Sequence, residues 1–196
     1  MRLAATAHTS RPWRIHELAP EFRVEDVWQL SWRGEQADFR RLVAMIASGD
    51  PAKSSSRAVR ALMGLRMKLG GLLGWDGADT GVGSRVATLR DRLPADLRDS
   101  ATPAFHELSF NSLYLLEDEF AAEIANRTVH AVLHIGRVPR EAEAFGAQMA
   151  VLVKPNGLLG NAYMAAIRPF RHRIVYPRLL REWERAWQRR SRNGQR

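Results

Sequence analysis

The densest run of chemistry-bearing side chains is Glu123, Asn126, Arg127, Thr128, His130 and His134. On a strand alternate residues share a face, so Thr128, His130 and His134 point one way with Val132. Val129, Ala131, Leu133 and Ile135 then point the other way. Such a row can wall a cavity in which a neutral imidazole acts as acid or base, or anchors a ligand. Solvent-facing or hydrogen-bonded histidines on an ordinary sheet are the favoured reading, because the pattern does not show which face is concave. Two histidines four residues apart would share a metal ion on a helix, but on a strand they sit roughly 13 Å apart. No metal site and no cofactor is therefore expected, and no residue is assigned a catalytic role. The expected ligand-binding residues are Glu123, Asn126, Thr128, His130 and His134, with Tyr114 and Tyr163.

Other groupings promise less chemistry. Asp91 and Arg92 are neighbours whose side chains diverge on regular structure, which favours a salt bridge elsewhere over a dyad. Glu117-Asp118-Glu119 falls at an expected turn and reads as a solvated tip. Gly81-Val82-Gly83 has no third glycine, no preceding strand and no following Lys-Ser/Thr, so no phosphate loop is expected. There is no Gly-x-Ser-x-Gly elbow. The chain has no cysteine, which removes disulfides, thiolate metal sites and a cysteine nucleophile and fits a reducing compartment.

The elements that must position these residues follow from periodicity. Val24 to Trp32 reads as the first strand, with Asp26 interrupting its apolar face. Asp38 can cap a short helix whose Phe39, Leu42, Val43 and Ile46 form one stripe. A second helix is expected over Arg57–Leu73, followed by a loop over Asp76–Gly83. Strands then dominate near 105–116, 119–125, 127–137 and 146–154, with short turns that make an antiparallel meander. Asn156 can cap a final helix from Leu158 to Arg190. Pro169 and Pro177 must kink or restart it. This order predicts an α+β, helix-grip fold: a curved antiparallel sheet wrapped around a long kinked C-terminal helix, with two short helices after the first strand.

At 196 residues and a net charge of +9, the chain suits one domain. The charge is concentrated. Ten arginines between Arg168 and Arg196 face only Glu182 and Glu184, and Arg57, Arg60, Arg66 and Lys68 form a second basic stretch. Along the last helix Arg178, Arg181, Arg185 and Arg189 form a stripe opposite Leu180, Trp183 and Trp187. That face could meet an anionic membrane surface. Nucleic acid is not an expected partner, because no helix-turn-helix, RNA-binding aromatic motif or zinc ligand set accompanies the charge. With neither a signal peptide nor a membrane span in the pattern, the expected location is cytoplasmic, with a membrane-peripheral variant.

Leu72-Leu73-Gly74-Trp75, Leu89-Arg90-Asp91-Arg92-Leu93-Pro94, EIANRTVHAVLHIG from Glu123, QMAVLVKPNGLLG from Gln148 and AYMAAIRPFRHRIVYP from Ala162 resemble an uncharacterised bacterial family, a domain of unknown function. That family is placed in the START-like, pollen-allergen-like superfamily of helix-grip proteins. The resemblance spans roughly Leu65 to Trp187 and implies a single START-like domain over 1–196; the ends, 1–20 and 190–196, are expected to be flexible. It implies a cavity between sheet and C-terminal helix for a hydrophobic or amphipathic small molecule of lipid, isoprenoid or polyketide type. Two alternatives stand beside that expectation. One is a cavity enzyme of the cyclase or dehydratase kind using His130, His134 and Glu123 in general acid–base catalysis. The other is a membrane-surface protein acting through its basic helices. Oligomeric state is left open.

Overall fold

In the computed structural model, residues 1–49, 81–84, 86–106, 108–140 and 144–193 are described. The expected helix over 57–73, most of the loop after it, and the basic group Arg57, Arg60, Arg66 and Lys68 lie outside these residues. The described elements run β1 (Arg2–Leu3), α1 (Thr6–Thr9), α2 (Arg14–Leu18), β2 (Arg23–Gly34) and α3 (Asp38–Ala47). A 3-10 turn (Leu89–Arg92) and α4 (Ala95–Arg98) follow, then β3 (Asn111–Leu115), β4 (Glu119–Ala125), β5 (Val129–Pro139) and β6 (Phe145–Pro155). The chain ends in α5 (Gly157–Phe170), a π-helical turn (Arg171–Val175) and α6 (Tyr176–Asn193).

The six strands form one open antiparallel sheet in the order β1-β2-β6-β5-β4-β3. The meander β3 to β6 is local, and β2 joins its far edge. With the long C-terminal helix over one face, the molecule is α+β with a helix-grip arrangement. The expected strands are found with ends shifted by one or two residues, except the one expected from 105, which starts at Asn111.

Two hydrophobic cores form, one on each sheet face. On one face Trp28, Leu30, Trp32, Phe120, Ile135 and Met149 pack against Phe39, Leu42 and Ile46 of α3 and against Tyr176, Leu180, Trp183 and Trp187 of α6. This burial is the main stabilising contribution of the stripe read in α3. On the other face Val27, Val132, Ala150 and Leu152 pack under Trp13, Ile15, Leu18 and Phe22 and under Leu89, Leu93 and Leu97. Residues 1–20, expected as a flexible end, therefore contribute core side chains: Ile15 is fully buried, as is His8. A sheet apolar on both faces needs two covers, and this segment is half of the second one.

Two irregularities set the geometry. A register shift between Val24 and Asp26 bulges β2 at Glu25, so Val24 joins one core while Asp26 turns to the face of Trp28. The expected proline break takes the form of the π-helical turn, which falls between Pro169 and Pro177 and lets the helix run on. Asn156 does not cap α5; its side chain donates to the Asn126 carbonyl oxygen at 2.9 Å. Gly160 is where α5 packs on the β4–β5 turn, and a Cβ there would overlap the Thr128 carbonyl oxygen.

Candidate functional site

The polar row on β5 faces away from the C-terminal helix. His130, Val132 and His134 lie on the side covered by residues 13–22 and 89–97, whereas Leu133 and Ile135 face α6. The alternation expected from sequence is correct, but these side chains do not line the space between sheet and terminal helix. They build two buried clamps of the same design.

In the first clamp Glu123 of β4, fully buried, accepts from His130 Nε2 at 2.8 Å, from the Leu89 N–H at 3.1 Å and from the Thr88 hydroxyl. Phe22 closes the edge of the His130 ring at 4.9 Å between centroids. In the second, Glu119 accepts from the Arg14 and Ile15 N–H groups at 2.9 and 3.0 Å, from the Tyr114 hydroxyl, and meets His134 Nε2 at 3.1 Å. Each glutamate thus uses one histidine from β5 and the N-terminal amides of a covering segment. A buried carboxylate is tolerated when several donors surround it, and these donors fasten the cover to the sheet.

The second clamp extends one residue further. His134 Nδ1 is 3.0 Å from His8 Nε2, and the His8 ring also meets His16 edge-on. Burial, then the neighbouring His134, His16 and Arg11, push the His8 pKa down to about 2, so this imidazole is neutral. His8 Nδ1 is left buried without a hydrogen-bond partner. Burial alone would raise the Glu119 carboxyl. The hydrogen bond and charge of His134, helped by Tyr114 and the Arg14 N–H, outweigh it and hold the group below the usual carboxylate range. Burial first, and then the Glu119 charge, push the Tyr114 phenol well above its ordinary value. Trp13 stacks near His134 at 5.2 Å and lies over Gly136, where a Cβ would come within 2.6 Å of the indole.

On the opposite face a third polar group fixes the terminal helix. Asp26, 2% exposed, takes Arg171 Nη1 at 3.1 Å and the His172 ring, while Glu25 accepts from Arg171 Nη2 at 3.0 Å. Burial and then Asp26 push the nearby Tyr176 phenol up. The π-helical turn is what presents Arg171 and His172 together to β2.

The expected residues separate into groups. Glu123 and His130 meet directly; His134 and Tyr114 meet at Glu119. Asn126 and Thr128 build the β4–β5 turn, Asn126 Oδ1 accepting from the Thr128 N–H, the Thr128 hydroxyl and the Val129 N–H. Tyr163 is half-buried on α5, away from both clamps. Three side chains central to these clusters escaped the sequence reading: Glu119 inside an acidic triplet, His8 in a segment without periodicity, and Asp26 in the guise of a break. The register does carry a signal for the first: Glu119 opposes Gly136 and Glu123 opposes Val132, so each glutamate has a histidine one diagonal away. Among the described residues no cluster suits a metal ion. Asp91 forms no dyad with Arg92, which pairs with Glu21 at 2.7 Å.

The family described as protein of unknown function DUF2867 matches residues 18–178 of this chain. The chain belongs to that family. No match is found among curated proteins or among solved structures. The stretch shared with DUF2867 contains Glu119, Glu123, His130, His134, Asp26, Arg171 and His172, while His8 and Trp13 precede it. Among the described residues no helix is long and apolar enough to cross a membrane.

Proposed function

We propose that the protein holds a hydrophobic or amphipathic small molecule, of lipid, isoprenoid or polyketide type, between the sheet and the C-terminal helix. The observation that carries this reading is an asymmetry of the two central strands. Val132, Ala150 and Leu152 on the clamp face are at most 1% exposed, whereas on the helix face Val129, Ala131, Leu133 and Val151 are only half-buried, beside the buried Ile135, Met149 and Val153. Apolar side chains at the centre of a covered sheet keep that exposure when the cover stands off from them, and an apolar guest recovers the lost burial. Between Leu30, Trp32, Leu180, Trp183 and Trp187 the sheet and α6 leave only about 20 Å³. Of α5 only Gly160 and Met164 are buried, so this reading seats the guest beneath that helix. Asp26, Arg171 and His172 supply polar groups on that face; His130, His134, Glu123 and Thr128 do not.

The test is titration with dansyl-labelled undecanoic acid, read by energy transfer from tryptophan. Ala131→Trp fills the space and should weaken binding tenfold or more, with the urea midpoint recorded to show that the variant is folded. No saturable binding, or binding unchanged in a folded Ala131→Trp protein, overturns the reading.

Exposed groups favour a second reading, attachment to an anionic membrane surface. Arg178, Arg181, Arg185 and Arg189 are all exposed on the side of α6 away from the half-buried Leu180, Trp183 and Trp187. Leu158, Leu159 and Phe170 of α5 are 89%, 52% and 50% exposed, far above what apolar side chains of this size usually show.

A further inference from the structure

The clamp face carries a hollow that neither clamp uses. It has a volume of about 510 Å³ and lies where β1, the α1–α2 link and the far end of the β5–β6 hairpin meet. Ala7, Arg11, Pro12, Val138, Arg140 and Gln148 are among its walls. Two guanidinium groups line it and, among the described residues around it, no carboxylate. Arg11 is set 5.9 Å from the centroid of the Trp13 ring, and Arg140 lies along Gly146, where any Cβ would displace it. Among the described residues neither cation has an acidic partner, and both are held at the rim by packing.

Gln148 supplies a second, independent observation. Its side chain is 3% exposed, its Nε2 donates to the Ala7 carbonyl oxygen at 3.4 Å, and its Oε1 has no hydrogen-bond partner. A buried amide oxygen left without a donor is costly, so its place at a hollow is that of an acceptor awaiting one. The guanidinium groups call for an anion, to which they bind in two-pronged fashion, and the amide oxygen calls for a hydroxyl. The volume suits a molecule of metabolite size.

We propose that this hollow is a second binding site, for a small hydroxylated organic anion whose charged group sits between Arg11 and Arg140 and whose hydroxyl donates to Gln148 Oε1. The site is on the other face of the sheet from the apolar space and does not depend on it. Phosphate esters of polyols and hydroxy acids share the required chemistry.

Isothermal titration calorimetry at low salt with glycerol 3-phosphate, glycerate, inorganic phosphate and glycerol separates the possibilities. At least one of the two hydroxylated anions should bind saturably and at least tenfold more tightly than inorganic phosphate or glycerol; which one does so names the anionic group. Arg11→Gln and Arg140→Gln should each weaken that binding tenfold or more. Gln148→Leu, of similar shape, should erase the advantage over inorganic phosphate while leaving the urea midpoint close to that of the parent. The proposal is overturned if neither anion binds, if both bind no better than inorganic phosphate, or if the arginine variants bind as the parent does; the hollow then holds only solvent.

Discussion

Lowering the pH from 7 to 5 should cost this protein about 2 kcal/mol through His8 alone. The ring is fully buried, and its pKa falls from 6.5 in the free side chain to about 2 in the fold. Between those values the unfolded chain carries a proton on His8 and the folded chain does not. The unfolded state therefore binds more protons, and stability declines as the pH falls through that window. Well below pH 6.5 the slope is about 1.4 kcal/mol per pH unit, which integrates to about 2 kcal/mol between pH 7 and 5. Glu119 adds to the loss only at lower pH. Its folded pKa lies below 4.5, so its contribution is present above that value and disappears as the carboxylate protonates. Urea unfolding followed by tryptophan fluorescence at pH 7 and pH 5 measures the effect, with equal m-values at both pH values as the check on two-state behaviour. Comparison with His8→Phe, and with His8→Gln as a second probe, isolates this residue from the other five histidines. The parent should lose about 2 kcal/mol more than either variant. An equal loss in parent and both variants would refute the neutral, buried state of His8.

Two further outcomes follow from the clamps and the basic helix. Glu123→Ala leaves the Leu89 N–H, the Thr88 hydroxyl and His130 without their acceptor, so urea unfolding should show a loss of about 3–5 kcal/mol. A loss below about 1 kcal/mol would mean that water replaces the carboxylate and that the clamp holds nothing down. For membrane attachment, co-sedimentation with vesicles containing phosphatidylserine should be strong at low salt and should fall as salt rises. Replacing Arg178, Arg181, Arg185 and Arg189 together by Gln should lower it by roughly a hundredfold or more, at about 1 kcal/mol per arginine. Salt-independent sedimentation would rule out this reading.

The fold was legible where one period dominates. The β5 alternation, the α3 stripe and the hairpin turns can all be read, because each segment has one buried face that its sequence repeats. What failed was the assignment of faces. The alternation of β5 says that His130 and His134 share a side, but only the cover on that side says what the side is for, and the cover comes from residues 13–22 and 89–97. Those covering pieces are short, with helices of four or five residues, too brief for any period to show. Glu119 was hidden by its neighbours: Glu117 and Asp118 are exposed at the tip, while Glu119 is the first residue of β4 and turns inward. Asp26 looked like an error in an apolar strand because the bulge at Glu25 is invisible in the pattern. Once the bulge is placed, Asp26 becomes the anchor of Arg171 and His172.

The strand order also governs how the chain emerges during synthesis. β2 is made early, yet its long-range partner is β6, the last strand of the sheet, while its other neighbour is the two-residue β1. Until β6 leaves the ribosome, Trp28, Leu30 and Trp32 have a helix to pack against but no ladder to hold them in register. The meander β3 to β6, by contrast, pairs only sequential neighbours and closes as fast as its turns form. The nascent protein therefore carries an unpaired, tryptophan-rich edge until β6 has been made, which is the state in which strands find wrong partners. The clamps cannot help until then either. Glu119 and Glu123 are themselves made after the segments they hold, so the N-terminal layer locks only when the sheet beneath it is complete.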